Sequence, residues 1–394
     1  MKKFRLGVVG LGHRGREMGK LAANFDCVEL VAGCDVIEKN WYETQWLSNA
    51  PMSEMFPNAV FYKDYEKMLD EANLDVVLVE TGADIHCEFC CKALKKNINV
   101  LSDIPLVASL QEADDIWKAA QESTAMISVG ANPNYQRFAD MLVEFYQKGL
   151  LGKPYCMEAE YIHWEMPNST TSIHLNENGD WRKLLCPIRY CTHSLGPLLR
   201  ILDEELRYVS CFGSGSFADD VDNGFGDGVE DTQAPKHFVK ADMQCAQFLT
   251  ESGVVIRLMR NGRCRAQIGH HNYRVFGTEG YMERIDRFNK PVIRYNSMKE
   301  LDTSLKEVDG KFMPVAYEAN PEAAKGHGGM DYAMVDAFLK ALLNNEPAPV
   351  SVKAGLAMTL PGIYAEESAK QNGKVLKMKY PWDPDWSVNF EDVE

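Results

Sequence analysis

Four side chains carry the chemistry this sequence offers most plainly. Tyr161 and His163 stand two apart in a stretch that reads as a strand, so both point to one face. Tyr190 and His193 stand three apart in a stretch that reads as a helix, so both lie on one side of it. A phenol and an imidazole together can exchange a proton with a hydroxyl near neutral pH. Histidine titrates there unaided, and tyrosine can serve where a nearby cation favours its anion. His193 is the expected centre, with Tyr190, Tyr161 and His163 around it; packed aromatic core is the alternative reading of either pair alone. Trp181 with Arg182, and His327 in a run of glycines, are the candidates for contact with a substrate. His270-His271 alternate faces of a strand and read as structural. Zinc accepts imidazole ligands, but no H-E-x-x-H or comparable spacing is present, so no metal is expected.

A second constellation must position whatever those groups act on. Leu6 to Val9 is an apolar run, and Gly10, Gly12 and Gly15 follow it as G-x-G-x-x-G. The first glycine allows a tight turn, the second lets backbone approach a pyrophosphate, and the third lets helix and strand pack closely. His13 and Arg14 fill the intervening places, at the start of a helix expected over 14–24. The helix N-terminus then points its N–H groups at phosphate. A second apolar run, Val28 to Cys34, ends in Asp35, twenty residues after Gly15, where a carboxylate should accept hydrogen bonds from the adenosine ribose. Asp35 would repel a 2′-phosphate, so NAD is expected rather than NADP. Thr81, His86, Asp103, Pro105 and Asn132 all follow further expected strands, and with the glycine turn they are the candidate cofactor residues.

Strand and helix alternate from Phe4 to Gly130, which indicates a doubly wound parallel sheet. Beyond Leu151-Gly152-Lys153-Pro154 the runs lengthen and become strand-rich, which indicates a mixed or antiparallel sheet with one solvated face. The expected fold class is therefore α/β. A Rossmann domain spans 1–130 and an open-sheet α+β domain spans 131–394, its C-terminal helices free to pack back on the first domain. The chain has 394 residues, enough for two cores. It is 45% hydrophobic with a net charge of −15, which disfavours nucleic acid and anionic membrane as partners. Its apolar runs are too short to span a bilayer. Met1-Lys2-Lys3 leads straight into the first strand, so no signal peptide and a cytoplasmic location are expected. The eleven cysteines are scattered along the chain, with Cys90 and Cys91 adjacent on an expected helix, and read as reduced thiols. The acidic, glycine-rich 219–231 stretch lacks calcium-loop spacing and reads as a solvated loop.

The glycine turn, the segment Val79 to Leu106, the 148–154 crossover and Phe276-Gly277-Thr278-Glu279-Gly280 together resemble the glucose–fructose oxidoreductase, inositol dehydrogenase and MocA family. That resemblance implies NAD, a small carbohydrate or cyclitol substrate, and a homo-oligomer, dimer or tetramer, formed through the open sheet. Where the family usually carries Glu-Lys-Pro, this chain has Asp103-Ile104-Pro105, so the lysine that assists hydride transfer is absent. Arg189 stands where the family has an aspartate four before His193. Tyr161-Ile162-His163, Trp181-Arg182, 190–197 and 326–331 are similar instead to the NAD-dependent glycoside hydrolases of the α-N-acetylgalactosaminidase type. That branch implies Tyr161, His163, Tyr190 and His193 as active-site residues. Three functions follow as expectations: redox-neutral glycoside cleavage through a 3-keto sugar, simple NAD-dependent dehydrogenation of a sugar or cyclitol, and a catalytically silent NAD-binding sensor.

Overall fold

The computed structural model describes residues 3–44, 50–163, 187–215, 241–262, 264, 271–287, 290–324 and 326–392. Trp181, Arg182 and the 219–231 stretch lie outside these described residues. The chain divides into two compact units. The first comprises Met1–Ala131, Asn320–His327 and Asp331–Leu356; the second comprises Asn132–Ala319, Gly328–Met330 and Ala357–Glu394.

The first unit is built on six parallel strands: β1 (Phe4–Val9), β2 (Val28–Cys34), β3 (Val60–Tyr62), β4 (Val76–Val79), β5 (Asn99–Ser102) and β6 (Ile127–Val129). Their order is β3-β2-β1-β4-β5-β6. All four residues of β4 are buried, as a central strand covered on both faces requires. The helices between strands start where their sequences provide caps. Asp64 accepts from the Lys67 N–H at 2.9 Å, and Ser109 accepts from the Glu112 N–H at 3.1 Å. Glu112 reaches back to the Ala108 N–H at 2.6 Å, a capping box shifted by one residue. The strand order reverses between β1 and β4, the place where doubly wound sheets bind ligands.

The second unit holds a ten-stranded sheet: β7 (Pro154–Ile162), β8 (Leu206–Gly213), β9 (Met243–Thr250), β10 (Val255–Asn261), β11 (His271–Gly277), β12 (Gly280–Arg287), β13 (Lys290–Ser297), β14 (Lys306–Asp309), β15 (Leu376–Lys377) and β16 (Glu391–Asp392). Its order is β14-β13-β12-β11-β7-β10-β9-β8-β15-β16. β7 runs parallel to β10 and antiparallel to β11. Alternation along β7 and β10 buries Met157, Ala159, Tyr161, Ile256, Leu258 and Arg260 on one face. The opposite face carries cross-strand ion pairs, among them Arg257 with Glu158 at 3.0 Å and Arg294 with Glu307 at 2.7 Å. These charges explain why β12 to β14 are hard to read from the sequence: the polar face interrupts the apolar run. Among the described residues no helix is long and apolar enough to cross a membrane.

Candidate functional site

The glycine turn is a cradle that side chains would fill. Gly10 has φ of 84°, the left-handed region glycine tolerates. A Cβ at Gly10 would stand 2.6 Å from the Glu80 carbonyl oxygen, and one at Gly15 would stand 1.8 Å from the Gly10 carbonyl oxygen. The helix His13–Ala23 starts at Gly12, which offers no side chain to cap its first N–H groups. Tight backbone, open N–H donors and a helix dipole fit a dinucleotide pyrophosphate.

Asp35 is held in place by the same turn. Its Oδ2 accepts from the Leu11 N–H at 2.7 Å and from Asn40 Nδ2 at 3.1 Å, and its Oδ1 accepts from the Ile37 N–H at 2.8 Å. A carboxylate has about four lone-pair sites, so one remains for a ribose hydroxyl. Asp35→Ala should weaken NAD binding by roughly tenfold to a hundredfold and narrow the gap between NAD and NADP. Calorimetric titration with both cofactors checks this, and unchanged affinities would remove Asp35 from the site.

Arg14 gathers carboxylates from distant parts of the first unit. Its guanidinium is bidentate on Asp331 at 2.6 and 2.9 Å and stands 3.8 Å from both Glu80 and Asp103. Asp331 also bonds His327 Nδ1 at 2.8 Å, which places His327 in an ion-pair cluster with Arg14. Burial pushes Asp331 up, but Arg14 and His327 outweigh it and hold the carboxyl well below its usual range. Burial, then the charge of Asp103, push Glu80 well above the usual carboxylate range against the pull of Arg14. His86 is buried, with Nδ1 2.9 Å from the Pro105 carbonyl and Nε2 2.9 Å from the Thr81 carbonyl. Its ring thus ties together the loops after β4 and β5. His13 lies beside Glu17 at 3.4 Å on the helix surface. Asn132 is buried and opens the 3₁₀ turn Asn132–Tyr135, which falls in the second unit.

In the second unit the Tyr/His pairs form one cluster. Tyr161 lies 5.7 Å from His163, 6.1 Å from Tyr190 and 5.4 Å from His193, ring centre to ring centre. Tyr190 and His193 are 4.8 Å apart, with the Tyr190 hydroxyl 3.4 Å from Nε2. Two local expectations need correction. β7 ends at Ile162, and His163 extends its ladder by donating its N–H to the Asn261 carbonyl at 2.8 Å. Tyr190 stands before its helix, which spans Thr192–Leu199, because a 3₁₀ turn over Pro187–Arg189 comes first. The pair spans the junction between the two turns and still meets there. Tyr273 anchors His193 by donating its hydroxyl to the His193 carbonyl at 2.7 Å, while Gln136 donates to the Tyr273 oxygen at 3.1 Å. Burial pushes the Tyr273 phenol up, so it stays a protonated donor.

Two members of the cluster escaped the sequence reading. His271, read as structural, stacks on Tyr161 with centroids 4.3 Å apart and lies 5.5 Å from His193. Arg260 places its guanidinium carbon 4.2 Å from the Tyr161 ring centre and 5.9 Å from that of Tyr190. Arg260 had a signal: it shares the core face with Ile256 and Leu258 at period two, and a charge on that face must have a purpose. His271 had none, since its place depends on strand register. No group of three or more metal-binding side chains occurs among the described residues.

Two family models match consecutive parts of the chain. Residues 4–131 match the oxidoreductase family with an NAD-binding Rossmann fold, and residues 137–385 match the glycosyl hydrolase 109 C-terminal domain. A glycosyl hydrolase family 109 protein of Akkermansia muciniphila is 24% identical, over 95% of this chain and 80% of its own length. An alpha-N-acetylgalactosaminidase of Shewanella oneidensis is 22% identical, over 100% of this chain and 85% of its own. The scyllo-inositol dehydrogenase of Lactobacillus casei, solved with NAD(H) and scyllo-inositol, shares the fold with a TM-score of 0.70 at 15% identity, covering 95% of this chain and 99% of its own. The chain therefore belongs to the glycosyl hydrolase 109 family, and it carries the NAD-binding Rossmann fold of the Gfo/Idh/MocA oxidoreductases with NAD as cofactor.

Proposed function

We propose that this enzyme cleaves a glycoside in a redox-neutral cycle, with Tyr161, His163, Tyr190 and His193 as its proton-handling groups. Bound NAD, held by the Gly10–Gly15 turn and Asp35, supplies reversible hydride exchange at a ring carbinol. The side chains must then move three protons. One leaves the carbinol hydroxyl as a ketone forms. One leaves the carbon next to that ketone, where the carbonyl makes C–H removal feasible for a phenolate or an imidazole. One goes to the glycosidic oxygen as its bond breaks; water then adds across the C=C left beside the ketone, and the hydride returns with a proton on oxygen to restore the carbinol. Four titratable rings, each 4.8–6.1 Å from a neighbour, suit that sequence, and this clustering is the observation that carries the reading. Ile104 occupies the place of the lysine that a simple dehydrogenase of the family would use.

The reading extends to a cytoplasmic homo-oligomer, dimer or tetramer, assembled through the open sheet face. Half-exposed Glu158, Arg257, Arg274 and Glu283 alternate in sign there. His327, Trp181 and Arg182 remain the proposed substrate contacts.

Purified enzyme with NAD and a panel of p-nitrophenyl glycosides tests the function. Nitrophenol release without NADH accumulation is expected. NADH build-up from free sugars would replace cleavage by dehydrogenation. Neither signal from any sugar would leave a cofactor-binding sensor.

A further inference from the structure

Tyr161 sits in the middle of a three-strand row. In the sheet register it faces Arg260 across the parallel β7–β10 pair and His271 across the antiparallel β7–β11 pair. All three side chains are buried, and all three lie on the same face. His271 stacks on the phenol ring at 4.3 Å with planes 14° apart. The Arg260 guanidinium lies 4.2 Å from the same ring centre, reaching it from the strand on the other side. The phenol is therefore held between an imidazole and a guanidinium.

From this geometry we infer that His271 and Arg260 are positioning residues for Tyr161, a role that rests on the proton chemistry proposed above. The two side chains do different jobs. His271 lies nearly parallel to the phenol, ring face on ring face. It fixes the ring by stacking. Its own place is fixed by Arg284, which donates to the His271 carbonyl and lies over the Phe312 ring at 4.2 Å. Arg260 supplies charge. A buried guanidinium over the ring stabilises the electron density that builds on the phenolic oxygen as the proton leaves. Its orientation is set by donation to the Asn261 carbonyl at 2.7 Å. Among the described residues, further titratable groups near Tyr161 are His163 at the end of its own strand, Tyr190 and His193 from the 190–193 segment, and Tyr273 on β11.

Two sets of variants of the full-length, NAD-loaded enzyme test this. His271→Phe keeps a flat ring without a titrating nitrogen, and His271→Ala removes the ring. In the turnover assay His271→Ala should lower kcat by about a hundredfold, as loss of ring alignment does, with KM within about threefold. His271→Phe should restore most of kcat and leave the pH profile in place. A Phe variant as slow as the Ala variant would overturn the stacking role and make the imidazole itself the working group. The second measurement needs no substrate. The tyrosinate ultraviolet signal that disappears in Tyr161→Phe is followed against pH in the parent and in Arg260→Met. Its midpoint should move to higher pH in Arg260→Met, and an unmoved midpoint would overturn the role of Arg260. If no glycoside turns over, the proposed function fails while this titration still decides the charge argument.

Discussion

Gly15→Ala should abolish useful NAD binding. The added methyl would lie 1.8 Å from the Gly10 carbonyl oxygen and 3.1 Å from Glu80 Cβ. The first of these is backbone, so no side-chain rotation relieves the clash; the turn and the helix His13–Ala23 must move apart. The N–H groups that would meet the pyrophosphate then lose their aim. We expect affinity to fall by at least a hundredfold, about 3 kcal/mol, with a lower melting temperature for the first unit. Gly19→Ala on the same helix is the control. Its methyl would meet only side chains, the nearest being Val8 Cγ2 at 3.1 Å, and these can give way. Calorimetric titration of both variants with NAD checks the contrast. A Gly15→Ala protein that binds NAD like its parent would show that the cradle is not the binding site.

His193→Ala should remove turnover and leave the fold and NAD affinity intact. General acid–base groups contribute about 10²–10⁴-fold, so a loss of that size is expected in kcat. The fold should survive because the anchoring contact uses the residue 193 carbonyl, which alanine also provides to the Tyr273 hydroxyl. NAD binding should survive because the cradle is made by backbone of the first unit. Stopped nitrophenol and NADH assays, paired with cofactor titration, separate these outcomes. Turnover within about threefold of the parent would take His193 out of the chemistry.

What could be read in the sequence was what is local. The glycine turn, the strands over 28–34, 60–62 and 76–79, and Asp35 all depend on residues within one strand–helix–strand unit, where spacing and periodicity carry the information. The two Tyr/His pairs were legible for the same reason. The environment of these residues was not. Arg14 is recognisable as part of the turn, but its bidentate partner Asp331 is 317 positions away. Asp331 could be noted only as the end of a glycine-rich motif. His271 is separated from Tyr161 by more than a hundred residues, and its role follows from sheet register, which hydrophobic alternation alone does not fix between non-adjacent strands. Arg260 was within reach of the alternation argument, since an arginine at a core position of a strand requires burial with compensation. Tyr190 was assigned to a helix that starts two residues later, a boundary error that left the i,i+3 meeting with His193 unaffected.

β7 is both the spine of the second sheet and the carrier of Tyr161, and this leaves it no tolerance for changes in length. Because successive residues face opposite sides, inserting or deleting one residue between Pro154 and Tyr161 would turn the phenol toward the ion-paired surface. Glu160 or Ile162 would then arrive between the guanidinium and the imidazole in its place. Evolution can lengthen or shorten the connections that leave this sheet, but through β7 it can proceed only by substitution.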